Sequence, residues 1–234
     1  MATPPPSLGA PRLLLVPTAL ERKRLVDQGG FPGGTALQEL AGFGPIAAAA
    51  RTAATIERVR PRQVILIGIA GTYDPVALPV GTAAVFTTVA VDGVGVGEGE
   101  RFVGPPALGF PQWPGGEGDT PRVDDRLTLT APPDVDAAEL LTTCAASDSA
   151  AHAAERRVRF PQAVAEDMEG FGVALACHLR GVPCTIVRGI SNVVGDREPA
   201  RWKIPAALGA ARRLLLELDE LEPSPAPSDD RHAR

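Results

Sequence analysis

The sequence predicts an α/β protein: a three-layer α/β/α sandwich around a central mixed, mostly parallel sheet. Two observations carry this. Short apolar runs at residues 13–16 and 64–67, and a largely apolar one at 185–190, alternate with longer segments of helical pattern. Such runs suit strands buried on both faces, and the helices between them supply the crossovers that cover a parallel sheet. At 234 residues the chain is also long enough for one domain with a full hydrophobic core, needing no metal or disulfide staple.

Taken in order, residues 13–16 form the first strand and 19–28 a charged helix. Gly44-Pro45 opens an Ala-rich helix, because proline suits the first helical turn. The strand at 64–67 breaks into Gly68-Ile69-Ala70-Gly71, and 83–89 and 140–143 are further strands. With Ser147 or Asp148 as N-cap, a helix runs to about Arg159, followed by a strand at 163–165. Residues 168–179 form a helix stopped by Gly181-Val182-Pro183. The strand at 185–190 and an amphipathic helix over 205–221 complete the domain.

Residues 1–11 and 222–234, rich in Pro, Ser or charge, are expected to be flexible appendages to a domain spanning 12–221. The Gly-rich segment 92–118 is too long for a routine connection and is a candidate active-site loop or partner contact.

A net charge of −5 supplies no basic field for nucleic acid or an anionic membrane, so a small molecule is the expected partner. Cys144, Cys177 and Cys184 lie in apolar surroundings without metal-ligand spacing and read as reduced core residues. No basic leader or membrane-length apolar run is present, so the expected location is the cytoplasm. There is no GxxxxGK[ST] or GxGxxG cradle and no GxSxG elbow, which argues against nucleoside triphosphates, dinucleotides and a Ser/His hydrolase.

What remains are carboxylates and one amide just after apolar strands, where open α/β sheets bind ligands. Carboxylates suit glycosidic cleavage, whose oxocarbenium-like transition state needs anionic surroundings, hydroxyl anchors and a base for water.

The block Phe160-Pro161-Gln162-Ala163, Asp167-Met168-Glu169-Gly170, Val182-Pro183 and Arg188-Gly189-Ile190-Ser191-Asn192 resembles the nucleoside phosphorylase and nucleosidase superfamily, especially its methylthioadenosine/S-adenosylhomocysteine nucleosidases. Within it, DMEGFGVA, RGISNVVGDRE followed by Trp202, and GVGEGERF are similar to the futalosine hydrolase family. The resemblance implies a phosphorylase-type fold, removal of hypoxanthine from futalosine on a route to menaquinone, no cofactor or metal, and a homodimer or higher homo-oligomer. Adenine-releasing nucleosidase, purine nucleoside phosphorylase and non-catalytic nucleoside-binding protein stay open as alternatives.

Residue by residue, the resemblance makes Glu21 the base that activates water and Glu169 the acceptor of the ribose 2′ and 3′ hydroxyls. Phosphorylases usually carry arginines and a serine for phosphate near the first strand and the glycine turn; this chain has Glu21 and Ile69 there, which favours water. Asn192 stands where adenine-releasing nucleosidases have an aspartate, and an amide can serve both O6 and N7–H of a 6-oxopurine.

Further candidates for the substrate site are Ala70, Gly71, Asp167, Met168, Phe171, Ser191 and Asp196. Met168 would pack under the ribose or sit in the core. Phe171 would line the pocket for the remote benzoate or be plain core, and Asp196 would orient Asn192, close the site or cap a turn. Arg101 is a possible partner for a substrate carboxylate. One departure stands out: Ala145-Ala146-Ser147 lacks the aromatic that contacts the base in adenine-releasing relatives.

Overall fold

The computed structural model describes residues 10–31, 36–116 and 120–221. Of the expected appendages at 1–11 and 222–234, residues 1–9 and 222–234 lie outside the described residues. In chain order the elements are β1 (Arg12–Val16), α1 (Ala19–Asp27), β2 (Ala36–Leu40), α2 (Pro45–Val59), β3 (Gln63–Thr72), β4 (Ala83–Val85), β5 (Thr88–Asp92), α3 (Pro105–Leu108), β6 (Arg126–Thr128), β7 (Glu139–Thr143), α4 (Ala150–Arg159), β8 (Ala163–Asp167), α5 (Gly170–His178), β9 (Cys184–Val193) and α6 (Ile204–Leu221).

The strands make one mixed sheet that forks at β3. On one side β2, β1, β3 and β9 run parallel, with β4 antiparallel beyond β9. On the other side the end of β3 meets β8 antiparallel, followed by parallel β7 and β5 and antiparallel β6. This is the expected three-layer sandwich. Leu13 and Leu15 of β1 pack with α2 and α5 on one face, while Leu14 and Val16 pack with α1 and α6 on the other. Each such side chain, fully removed from water, contributes about 1.5–3 kcal/mol before chain entropy is charged against it.

Several expectations need correction. β3 does not break at Gly68 but continues to Thr72, because β9 stays hydrogen-bonded alongside it through the glycines. The single strand expected at 83–89 is two: β4 pairs with β9, and β5 leaves to join β7. The N-cap of α4 is Ser149, whose hydroxyl accepts the His152 N–H. α5 begins at Gly170 rather than Met168, so Met168 and Glu169 form the turn between strand and helix. Cys177 and Cys184 are buried, but Cys144 is exposed. The described part of the 92–118 segment holds a 3-10 turn at Gly99–Arg101, helix α3 and a Val96–Val103 bridge. Among the described residues no helix is long and apolar enough to cross a membrane.

Candidate active site

The carboxyl ends of β1, β3, β8 and β9 converge on a cavity of about 340 Å³, a size suited to a small molecule. Its wall includes Glu21, Met168 and Glu169, together with Asp167, Ala70 and Gly71. Ser191 and Asn192 line it as well, so eight of the ten residues singled out from the sequence share one cavity.

Glu21 arrives on the first turn of α1, held by a capping box. Its N–H donates to the Thr18 hydroxyl oxygen (3.2 Å), and its Oε2 accepts from Thr18 N–H (3.1 Å) and Oγ1 (2.6 Å). Oε1 accepts the Ile69 N–H at 3.1 Å. The helix start thus fixes a carboxylate against the glycine-flanked end of β3.

β8 ends in Asp167, and the turn that follows places Glu169 as the N-cap residue of α5. Asp167 Oδ1 accepts from Thr142 Oγ1 (2.6 Å), and Oδ2 accepts from Gly170 N–H (2.9 Å) and from Arg188. Glu169 Oε1 accepts the Gly44 N–H (3.1 Å), and Oε2 lies 3.3 Å from Arg188 Nη2. Arg188 on β9 is wholly buried. Gly68 leaves the room it occupies: a Cβ there would lie 2.2 Å from Arg188 Nη1 and 2.8 Å from Glu21 Oε1. Three carboxylates therefore surround one guanidinium.

Burial pushes the Glu169 carboxyl up to about 7; Arg188 and the Gly44 N–H pull it down, while the charges of Asp167 and Glu21 push it up. Burial alone would favour a neutral Arg188, yet Asp167, Glu169 and Glu21 keep it firmly protonated. A group poised near 7 and able to accept two hydroxyls is a suitable sugar anchor.

Asn192 sits at the end of β9, half-buried. Its Oδ1 lies 2.7 Å from Ser191 Oγ, and its Nδ2 donates to Val193 O at 2.9 Å. One amide N–H and one carbonyl lone pair remain for a ligand.

Two candidates are placed elsewhere. Phe171, the second residue of α5, is directed into the core between α2, α5 and the sheet and does not line the cavity. Asp196 neither orients Asn192 nor lines the cavity. Its carboxylate binds Arg201 bidentately (2.7 and 2.6 Å) and takes the Glu198 N–H, and its carbonyl accepts Trp202 Nε1–H at 3.0 Å. Arg201, followed by that N–H, holds its carboxyl below the usual range. Arg101 is exposed on the 3-10 turn and is not part of the cavity wall.

The structure adds residues that sequence reasoning missed. Arg188 was visible only as a charge inside an apolar strand, a signal in itself, since buried charge needs partners. Phe43 and Trp202 line the cavity and supply aromatic surface that 145–147 lacks, with the Arg197 guanidinium 4.9 Å from the Trp202 ring. Glu166 and Ser147 also reach the wall. Among the described residues no group of three or more His, Cys, Asp or Glu is arranged to hold a metal ion.

The phosphorylase superfamily model matches residues 21–218. Futalosine hydrolase of Streptomyces coelicolor is 35% identical over 178 residues, covering 73% of this chain and 72% of that protein. Futalosine hydrolase of Thermus thermophilus is 31% identical over 225 residues, covering 88% and 95%. The crystal structure of a 5′-methylthioadenosine/S-adenosylhomocysteine nucleosidase from Colwellia psychrerythraea in complex with adenine superposes with a TM-score of 0.69 at 20% identity, covering 91% of this chain and 96% of that one. On the superfamily match and these relatives, the chain belongs to the phosphorylase superfamily and is an enzyme of its N-glycosyl hydrolase kind.

Proposed function

We propose that the chain hydrolyses the N-glycosidic bond of futalosine, releasing hypoxanthine and dehypoxanthine futalosine, a step of menaquinone biosynthesis by the futalosine route. The observation that carries this reading is the hydrogen bond from Ile69 N–H to Glu21 Oε1: a carboxylate occupies the glycine-flanked end of β3, where phosphorylases of the superfamily bind phosphate. An anion fixed there repels phosphate and attracts the protons of water.

In the proposed reaction the ionised Glu169 accepts the ribose 2′ and 3′ hydroxyls and lies beside the positive charge that develops at the anomeric carbon. Asn192 donates its free amide N–H to O6, and its Oδ1 accepts a hydrogen bond from N7–H, N7 having gained its proton from solvent water as hypoxanthine departs. Glu21 takes a proton from the water that attacks the anomeric carbon. Met168 packs under the ribose, and Ser191 sets the amide plane of Asn192. The proposed assembly is a homodimer or higher homo-oligomer, and the proposed location is the cytoplasm.

The test is a substrate panel. Futalosine, inosine and methylthioadenosine are incubated with the protein and the released base is separated by chromatography. The expected result is hypoxanthine from futalosine; adenine from methylthioadenosine alone would move the chain to the adenine-releasing nucleosidases, and tight binding without turnover would make it a binding protein.

A further inference from the structure

The proposed substrate carries a benzoate remote from the bond that breaks, and neither Phe171 nor Arg101, the residues expected to meet it, stands in the cavity wall. Charge narrows where it can go. Glu21, Glu166, Asp167 and Glu169 line the cavity, and all four are buried. An anionic arm is repelled from that depth, where like charges are poorly screened. Among the described residues of the wall the one cation is Arg197, and it is exposed, which places it at the mouth. Leu20 and Phe43, also exposed, and the half-buried Trp202 supply apolar surface in the same wall.

Arg197 is held there by the chain around it. Gly195 takes a φ of 86°, and a Cβ on it would lie 2.5 Å from the Ser149 carbonyl, so the loop after β9 is seated against the start of α4. Trp202 is pinned by its Nε1–H, which donates to Asp196 O at 3.0 Å, and the Arg197 guanidinium lies over its ring at 4.9 Å. A guanidinium stacked on an aromatic face keeps its N–H edges directed outwards in its own plane. A carboxylate meets that edge with two parallel hydrogen bonds. The acidic neighbours do not compete for it: Asp196 is engaged by Arg201, and Glu198 Oε1 accepts the Ala200 N–H. Among the described residues Arg197 has the Trp202 ring as its partner and no carboxylate.

We propose that Arg197 binds the carboxylate of the arm that the ribose carries: its guanidinium, levelled by Trp202, pairs with an arylcarboxylate whose ring rests in the apolar mouth. Arg197 is then a specificity-determining residue, selecting nucleosides with an anionic arm over neutral ones, and Trp202 is a positioning residue that presents the guanidinium. This deepens the proposed function and rests on it for the identity of the arm.

The test is calorimetric binding of futalosine and of its benzamide counterpart, in which a neutral amide of the same shape replaces the carboxylate. Both are titrated into Glu21→Gln, which slows hydrolysis, and into the double variant that adds Arg197→Met. Glu21→Gln should prefer the acid by about 10-fold, the scale of one charge-assisted hydrogen bond, and the preference should shrink in about 1 M salt. With Arg197→Met added, the preference should vanish through weaker binding of the acid. Equal affinities in Glu21→Gln, no binding of either ligand, or an unchanged preference in the double variant would overturn the proposal. Should Arg197→Met not fold, Arg197→Gln removes the charge with a polar side chain, and the preference should vanish likewise; its persistence overturns the proposal. Binding does not require turnover, so a failure of the wild type to release hypoxanthine from futalosine, scored separately, would count against the proposed function alone.

Discussion

Two buried clusters of charge sit side by side at the carboxyl end of the sheet, and they are built on opposite principles. In the first, Glu21, Asp167 and Glu169 share the single guanidinium of Arg188, an excess of two negative charges. In the second, the buried Asp92 and Glu166 face Arg156 and Arg159, so the buried charges balance, and Arg159 also pairs with the exposed Glu155 at the rim. Arg156 spends Nε on Asp92 (2.9 Å), Nη1 on Ser147 and Glu166, and Nη2 on the Ala145 carbonyl (2.7 Å). Arg188, by contrast, has no hydrogen-bond partner for Nε and Nη1 among the described residues. The unbalanced cluster keeps a carboxyl near 7 and spare hydrogen-bonding capacity, both of which a reaction uses. The balanced cluster fixes the wall against which the base rests.

Breaking the first cluster should cost chemistry, and breaking the second should cost stability. The largest effect is expected from Glu21→Gln: loss of the base should lower kcat by about 10²–10⁴-fold with KM little changed, measured by steady-state base release. Glu169→Gln should lower kcat/KM by about 10²–10³-fold, because an amide cannot accept both ribose hydroxyls.

The pH profile sharpens that second expectation. Only ionised Glu169 accepts the hydroxyls, so wild-type kcat/KM should rise with pH through about 7, and the variant should lack this limb. Stability runs the other way. With its carboxyl raised from 4.5 to about 7, the folded state holds a proton that the unfolded chain has already lost in that window. This group's contribution therefore falls as pH rises between the two values, and the fall should be absent from denaturant titrations of Glu169→Gln.

In the second cluster, Arg156→Met should cost about 3–5 kcal/mol of stability, since it leaves the buried Glu166 without a counter-charge and Asp92 with Arg159 alone. A thermal melt checks this, and a variant that melts normally but loses turnover would reverse the contrast. The smallest effect is expected from Arg201→Ala, which removes an exposed partner of Asp196 and should leave the thermal melt unchanged within error.

How much of this was legible in the sequence depended on whether the signal was local. β1, β3 and β9 were, because residues such as Leu13–Val16 of β1 are buried on both faces and leave an unbroken apolar run. β2 was not: Ala-Leu-Gln-Glu-Leu at the sheet edge has neither the run nor a clean alternation. Gly68 to Gly71 suggested a break because glycine lacks strand propensity, whereas the tertiary reason for those glycines is room for Arg188 and for the cavity. Glu21, Glu169 and Asn192 were singled out because they match the motifs of the family the sequence resembles; position after a strand or at a helix start would have suited an ordinary surface or turn residue equally well. Arg188 and Glu166 were not assigned roles because their partners lie on other strands, and pairing across a sheet leaves no trace in residue order. For Asp196 and Phe171 the sequence left two readings open, and the folded chain takes the plainer one in each case, a turn cap and a core aromatic, because only it shows which way a turn or a first helical residue faces.

The most direct test compares initial rates of hypoxanthine release from futalosine with and without inorganic phosphate, with the sugar product identified by mass. The expected result is the same rate in both and a free sugar hydroxyl at the anomeric carbon. Activity that appears only with phosphate, and a sugar 1-phosphate as product, would contradict the role given to Glu21 at the glycine-flanked end of β3.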